Sequence, residues 1–181
     1  MWQGWLDTTE LCSQSAGCVE YVNLPEVSFY VPRAVRVNES HIFVWPNQHG
    51  NAWLFNQLDE TFQELPPFLE ERVRAAVGFI NDHEIVVAGG QYSNTSEIFD
   101  LNTSQWRPGP DLPVKMELFG ASCVQFQQTF LVVGGHDSGE NLGSIIKFDP
   151  VNYVWITMPQ KLTKAREYFA AFLVPNDYVS C

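Results

Sequence analysis

Glu84-Ile-Val-Val-Ala-Gly-Gly90 and Thr129-Phe-Leu-Val-Val-Gly-Gly135 are two copies of one sequence motif, and they begin 45 residues apart. In each, a short and largely β-branched apolar run is typical of a buried strand. The glycine pair that closes each run can adopt φ angles closed to other residues, which suits a sharp exit from a strand. A recurrence at this spacing predicts a repeat protein built from short strands.

After each glycine pair come two aromatic residues that are seven positions apart. Phe99 is followed seven residues later by Trp106, and Phe148 is followed seven residues later by Trp155. The residues between the two aromatics are rich in Asp, Asn, Ser and Pro, which favour turns. Each unit therefore predicts a second hairpin after the glycine pair.

A less complete copy of the motif lies upstream. His41-Ile-Phe-Val-Trp45 supplies the strand, but Pro46-Asn47 stands where the other copies have two glycines. Phe55 and Phe62 then keep the spacing of seven residues, without a Trp. We interpret this segment as a degenerate third repeat.

These residues resemble kelch repeats, whose marks are a diglycine closing strand 2, an aromatic in strand 3 and a Trp in strand 4. The resemblance runs from about Leu6 to Cys181 and implies an all-β, kelch-type β-propeller, a fold with about 4–8 four-stranded blades. It assigns structural roles to Gly89, Gly90, Phe99, Trp106, Gly134, Gly135, Phe148 and Trp155.

The repeat register predicts about three complete blades and one blade divided between the two ends of the chain. The expected division is 1–32 (strands 3 and 4 of the split blade, with a linker), 33–73 (degenerate blade), 74–118 and 119–167 (whole blades), and 168–181 (strands 1 and 2 of the split blade), all within one propeller domain. Either the termini close a ring of four blades, or the chain is part of a larger propeller. The second arrangement exposes strand edges, which favours self-association.

Composition excludes several classes of function. With 21 Asp and Glu against 10 Lys and Arg, the net charge is −11, whereas a nucleic-acid binder needs a basic footprint for phosphates. The longest apolar runs are about five residues, far below the ~20 needed to cross a bilayer, so we expect no membrane insertion. The first residues show no signal peptide. This predicts a cytoplasmic protein, or an extracellular one if further sequence precedes Met1.

Cysteine and histidine positions give little support for metal or covalent chemistry. Cys12 and Cys18 are separated by five residues, a spacing that suits either a small disulfide loop at a hairpin tip or two unlinked thiols, and no zinc pattern accompanies them. Some propellers of this type are copper radical enzymes that resemble galactose oxidase. In the repeat register, however, His49 and His136 fall on the opposite rim from the other two histidines. We therefore expect no metal, no cofactor and no enzymatic activity.

The most informative expectation concerns binding. Because the four strands of a blade alternate in direction, the loops joining strands 2 and 3 (2–3 loops) and those joining strand 4 to the next strand 1 (4–1 loops) share one face. Loops on a rigid scaffold commonly carry binding. The candidates for contact with a protein partner are Arg33, Arg72, Tyr92, His136, Asp137 and Arg166. Alternatively, the arginines pair with neighbours such as Glu71 or Glu167.

The expected function is therefore a non-enzymatic protein-interaction scaffold. An extracellular adhesion or matrix protein of the invertebrate kelch type is the alternative. Glycosylation sequons favour that alternative and lie at Asn38, Asn94 and Asn102.

Overall fold

The computed structural model describes residues 8–13, 17–23, 33–45, 51–90, 93–113, 121–126, 129–137, 139–167, 169 and 171. Every regular element in these residues is a β-strand, which confirms the all-β fold class. Within them, no helix has the length and apolar character needed to span a bilayer. The chain divides into two compact units, Met1–Pro67 and Phe68–Cys181.

The first unit holds a hairpin and one four-stranded sheet. The hairpin pairs β1 (Thr8–Ser13) with β2 (Gly17–Asn23). Sheet I is an antiparallel meander of β3 (Arg33–Arg36), β4 (His41–Trp45), β5 (Trp53–Asn56) and β6 (Thr61–Glu64). Sheet I has the strand order of one propeller blade.

The second unit holds two further sheets of this kind. Sheet II contains β7 (Ala76–Phe79), β8 (Glu84–Ala88), β9 (Ser96–Asp100) and β10 (Gln105–Pro108). Sheet III contains β11 (Ser122–Phe126), β12 (Thr129–Val133), β15 (Ser144–Asp149) and β16 (Val154–Lys161), with the short pair β13 (His136–Asp137) and β14 (Glu140–Asn141) inserted after β12. Three successive four-stranded meanders are the architecture expected of kelch blades.

The aromatic spacing of seven residues corresponds to a cross-strand pair between strands 3 and 4. Phe99 faces Trp106 across β9 and β10, with ring centroids 5.0 Å apart. Phe148 faces Trp155 at the same separation across β15 and β16. In sheet I, Phe55 faces Phe62 at 4.7 Å. The four-residue turn between the aromatics brings them opposite each other, so the spacing in sequence records a hairpin.

The apolar core of the second unit lies between sheets II and III. β7 of sheet II contacts β11 and β12 of sheet III. Phe130 is fully buried and packs directly on Gly78, because a Cβ atom there would lie only 2.3 Å from the Phe130 ring. The Nε1 of Trp155 donates to the Pro110 carbonyl oxygen at 3.1 Å, which ties sheet III to the segment leaving sheet II.

Both diglycines directly follow a second strand. β8 ends at Ala88 and β12 ends at Val133, so each glycine pair begins the 2–3 loop. Gly134 has a φ of 63°, and a Cβ there would lie 2.7 Å from the Arg166 carbonyl oxygen. Glycine is required at this position because the backbone is left-handed and the 4–1 loop crosses it closely.

Candidate partner-binding loops

The 2–3 and 4–1 loops of sheet III are joined by main-chain hydrogen bonds. The N–H of Gly135 donates to the Arg166 carbonyl oxygen at 3.0 Å, and the N–H of Arg166 donates to the Leu142 carbonyl oxygen at 3.1 Å. The N–H of Leu142 in turn donates to the Gly135 carbonyl oxygen at 2.8 Å. These bonds place the two loops in one continuous surface at this end of sheet III.

His136 stands at the centre of that surface. Strands β13 and β14 place its Nδ1 at 3.4 Å from Asn141 Oδ1 and at 3.6 Å from Glu167 Oε2. The side chains of His136 and Glu167 are each 26% exposed. Asp137 follows in β13 and is partly exposed. The structure therefore brings His136 and Asp137 together, and Glu167 approaches His136.

Arg166 is an exposed cation of this loop pair, as is Lys164. Its Nε donates to the Lys164 carbonyl oxygen at 3.2 Å, and its guanidinium lies 5.9 Å from the Phe169 ring centroid. The side chain is exposed. Arg166 and His136 therefore share the loop end of sheet III, as the repeat register predicts.

Arg72 departs from the expected surface role, and the prediction that it contacts a partner is wrong. Its side chain is only 1% exposed, and its Nε donates to Glu97 Oε1 at 2.8 Å. The terminal nitrogens donate to the Gly89 carbonyl at 2.9 Å, to the Thr95 carbonyl at 3.0 Å and to Thr95 Oγ1 at 2.8 Å. Arg72 thus connects the 4–1 loop preceding sheet II to the 2–3 loop of that sheet. The role is structural, and the carboxylate partners are the buried Glu97 and, at 3.5 Å, the exposed Glu70 rather than Glu71.

Glu97 completes this network from within strand β9. Its side chain is 2% exposed, and its carboxylate also accepts from the N–H of Leu69 at 2.7 Å and the N–H of Glu70 at 3.0 Å. A buried carboxylate needs such partners because an unpaired charge is costly to remove from water. The three donors therefore fasten residues 69–72 onto sheet II.

Sheet III carries a different residue at the matching position. Glu97 lies two residues before Phe99, and the residue two before Phe148 is Ile146, which is fully buried. Because an isoleucine cannot pair with a cation, sheet III does not build this ion pair at that position. Arg166 lies in the loop that follows sheet III rather than the loop that precedes it, and its side chain is exposed.

The remaining predicted residues lie elsewhere. Arg33 is the first residue of β3 and is partly buried, in the other compact unit. Tyr92 lies outside the described residues. Cys12 and Cys18 are paired opposite each other in the hairpin of β1 and β2.

A second polar cluster, missed by the sequence reasoning, joins sheets II and III. Glu84 is buried at the start of β8 and accepts from Arg107 Nη2 at 2.6 Å, Asn81 Nδ2 at 2.6 Å and the Tyr153 hydroxyl at 2.5 Å. Tyr153 belongs to the turn between β15 and β16, and the Arg107 guanidinium lies 5.0 Å from its ring. The sequence feature that could have indicated this cluster is Glu84 itself, a charged residue directly before the apolar strand residues 85–88.

The cluster changes the ionisation of two of its members. Burial by itself raises the pKa of Glu84, but the hydrogen bonds from Tyr153, Arg107 and Asn81 together outweigh it and hold the pKa below its ordinary value of 4.5. The hydrogen bond to Glu84, followed by burial, raises the pKa of Tyr153 above 10.0. Glu84 is therefore a carboxylate, and Tyr153 a neutral donor, at neutral pH.

Replacing Glu84 with glutamine should lower stability more at neutral pH than in acid. Because the folded-state pKa of Glu84 lies below its unfolded value, its charged form stabilises the fold fully above about pH 4.5, and this contribution is lost as the pH falls through the folded value. Urea titrations at several pH values would measure the free energies of unfolding of the wild type and Glu84→Gln. A difference between them that stays constant down to about pH 3 would contradict the account.

Asp82→Asn provides the control, since Asp82 is an exposed carboxylate in the turn between β7 and β8, two residues before Glu84. We expect it to change the free energy of unfolding by about 0.5 kcal/mol or less.

No group of three or more His, Cys, Asp or Glu side chains within the described part of the chain is arranged to hold a metal ion. The candidate loops instead offer hydrogen-bonding, charged and aromatic groups on a surface held by main-chain bonds. Such a surface can bind a partner.

Comparison with known proteins gives one family and several viral relatives. Residues 118–161, which include the whole of sheet III, match the family model of the Kelch motif. "Kelch repeat and BTB domain-containing protein 2" of Cowpox virus (strain Brighton Red) is 24% identical over 116 residues, and the protein of the same name from Cowpox virus (strain GRI-90 / Grishak) is 28% identical over 116 residues. The Horsepox virus protein is 25% identical. Each match covers 53% of this chain and 21% of the relative, so the chain spans about a fifth of the length of these relatives.

Proposed function

We propose that this chain, which matches the Kelch motif over residues 118–161 and resembles kelch-repeat proteins, is a non-enzymatic scaffold that binds a protein partner at the loop end of sheet III. Kelch repeats mediate protein–protein interaction. Families of this type are typically non-enzymatic scaffolds. The proposal assigns the binding to a defined pair of loops.

The observation that carries the proposal is the contrast between two arginines in 4–1 loops. Arg72 is buried and saturated with acceptors, whereas Arg166 is exposed beside His136. Both loops follow the same repeat pattern, so the pattern alone does not require Arg166 to be at the surface. An exposed guanidinium on a backbone held by hydrogen bonds is suited to recognition.

The chemistry of this surface favours a partner with an acidic side chain. A guanidinium binds a carboxylate through two parallel hydrogen bonds, and its planar fork makes it a common interface anchor. The Phe169 ring under the guanidinium adds an apolar surface and a cation–π contact. In a chain with a net charge of −11, this local cation also helps to orient an acidic partner.

Replacing Arg166 with alanine should weaken capture of the partner at least about fivefold without lowering stability, since loss of an interface arginine commonly costs more than 1 kcal/mol of binding. The chain would be immobilised and exposed to a cell extract, and captured proteins would be quantified by mass spectrometry. Size-exclusion chromatography of the same samples would show whether the bound species is a second copy.

Arg36→Ala is the matched control. Arg36 is also exposed and also donates to main-chain oxygens, those of Asn38 and Glu39, but it lies at the opposite, 1–2 end of its sheet. The proposal expects capture to survive Arg36→Ala and to fall with Arg166→Ala and His136→Ala. Equal capture by all three variants would refute the assignment of the loop end.

A further inference from the structure

The hairpin of β1 and β2 places two cysteines at directly opposite positions. Cys12 is the register partner of Cys18, between the pairs Leu11–Val19 and Ser13–Gly17. In an antiparallel pair, residues in register lie on the same face of the hairpin. Spacing in sequence allows this arrangement, but only the strand register selects it.

The register position satisfies the distance requirement for a disulfide. Directly opposite residues of antiparallel strands have Cα atoms about 4.5 Å or about 5.5 Å apart, depending on the type of pair. A disulfide needs a Cα separation of about 4.4–6.8 Å. Both types of pair lie within that window, so the Cα separation at this register position is compatible with the bond.

We infer that Cys12 and Cys18 form a reversible cross-strand disulfide that acts as a redox-sensitive clamp on the hairpin. The oxidant is a small-molecule disulfide such as oxidised glutathione. One cysteine thiolate attacks it, releases one reduced glutathione and forms a mixed disulfide; the second thiolate then displaces the other reduced glutathione. Two thiols are oxidised to one protein disulfide, and one glutathione disulfide is reduced to two thiols.

The hairpin gains more from such a clamp than a strand inside a larger sheet would. Among the strands that the structure describes, β1 and β2 pair with each other in a two-stranded sheet, and isolated two-stranded hairpins are only marginally stable in water. Glu10 is the register partner of Glu20, two positions along each strand from the cysteines. Like charges at directly opposite positions destabilise strand pairing. A covalent bond at the next pair on the same face would hold the register against that repulsion.

Cys123 provides an internal comparison. It lies in β11 with Val132 as its register partner, and it packs beside the apolar core of the second unit. Its opposite position therefore supplies no thiol. The inference is specific to the hairpin and predicts that one cysteine pair responds to oxidant while Cys123 does not.

The test uses the full chain equilibrated with defined ratios of reduced and oxidised glutathione, quenched with an alkylating reagent and analysed by non-reducing peptide mass spectrometry. We expect a Cys12–Cys18 linked peptide that increases with oxidised glutathione and disappears with reductant, while Cys123 stays alkylated. Alkylation of both Cys12 and Cys18 under the most oxidising ratio would overturn the inference, as would a predominant bond from either one to Cys123 or Cys181.

A register-shifted variant separates alignment from simple proximity. Cys12→Ser combined with Ser13→Cys moves the thiol by one residue, to the position opposite Gly17 and on the other face of the hairpin. We expect it to form the intramolecular bond at least about tenfold less readily, a difference of about 1.4 kcal/mol. Equal oxidation of the two proteins would show that register does not control the bond and would refute the clamp. Far-UV circular dichroism would check that both chains are folded.

Discussion

Replacing Arg72 with alanine should lower the free energy of unfolding by about 3–5 kcal/mol, because it leaves the buried Glu97 carboxylate without its counter-charge. The carboxylate would keep the two main-chain donors, Leu69 and Glu70. The carbonyl oxygens of Gly89 and Thr95 would each lose a donor. Chemical denaturation followed by intrinsic tryptophan fluorescence would measure the change.

Two further variants make this prediction specific. Arg166→Ala removes an exposed arginine from the 4–1 loop that follows sheet III and should change stability by about 0.5 kcal/mol or less. Arg72→Met combined with Glu97→Leu removes both charges and should cost less than Arg72→Ala alone, because no uncompensated charge remains. Wild-type stability in Arg72→Ala would mean that the buried pair does not hold the loop.

Replacing Trp155 with alanine should destabilise the second unit by about 3–5 kcal/mol, since it removes a large buried ring and leaves a cavity. The ring is 9% exposed, packs edge-on against Phe130 at 5.5 Å and Phe148 at 5.0 Å, and donates to the Pro110 carbonyl oxygen. Its loss would affect both the core of sheet III and the contact with sheet II. Urea-induced unfolding monitored by far-UV circular dichroism would measure it.

Val154→Ala is the neighbouring control on the same strand. Val154 precedes Trp155 in β16, points to the other face and is 42% exposed. Its truncation should cost about 0.5 kcal/mol or less. If Val154→Ala and Trp155→Ala lowered stability equally, the inter-sheet role of the Trp ring would be wrong.

The repeat could be predicted from the chain because its signals are local. A diglycine, a β-branched run and an aromatic pair seven residues apart each encode a turn or a hairpin within one blade. The same reasoning predicted that Arg166 and His136 lie at one loop end, since strand direction alone decides which loops share a face. These features do not depend on what a side chain packs against.

The role of Arg72 could not be predicted in this way. Its partner Glu97 is 25 residues away along the chain, and sheet III carries Ile146 in the corresponding place. Arg72 is buried because one strand-3 side chain of the sheet that follows it, Glu97, accepts its hydrogen bond. That dependence is invisible to a pattern that treats all repeats as equivalent.

By itself, the sequence determined the all-β class, the order of strands in each sheet and the loops that follow the diglycines, because period-2 strands and glycine turns are properties of neighbouring residues. Only the tertiary structure decided which charges are buried and that Glu84 and Tyr153 join sheets II and III. Each of these depends on residues that chain folding brings together. A buried charge is stable only when such distant partners meet its hydrogen-bonding needs.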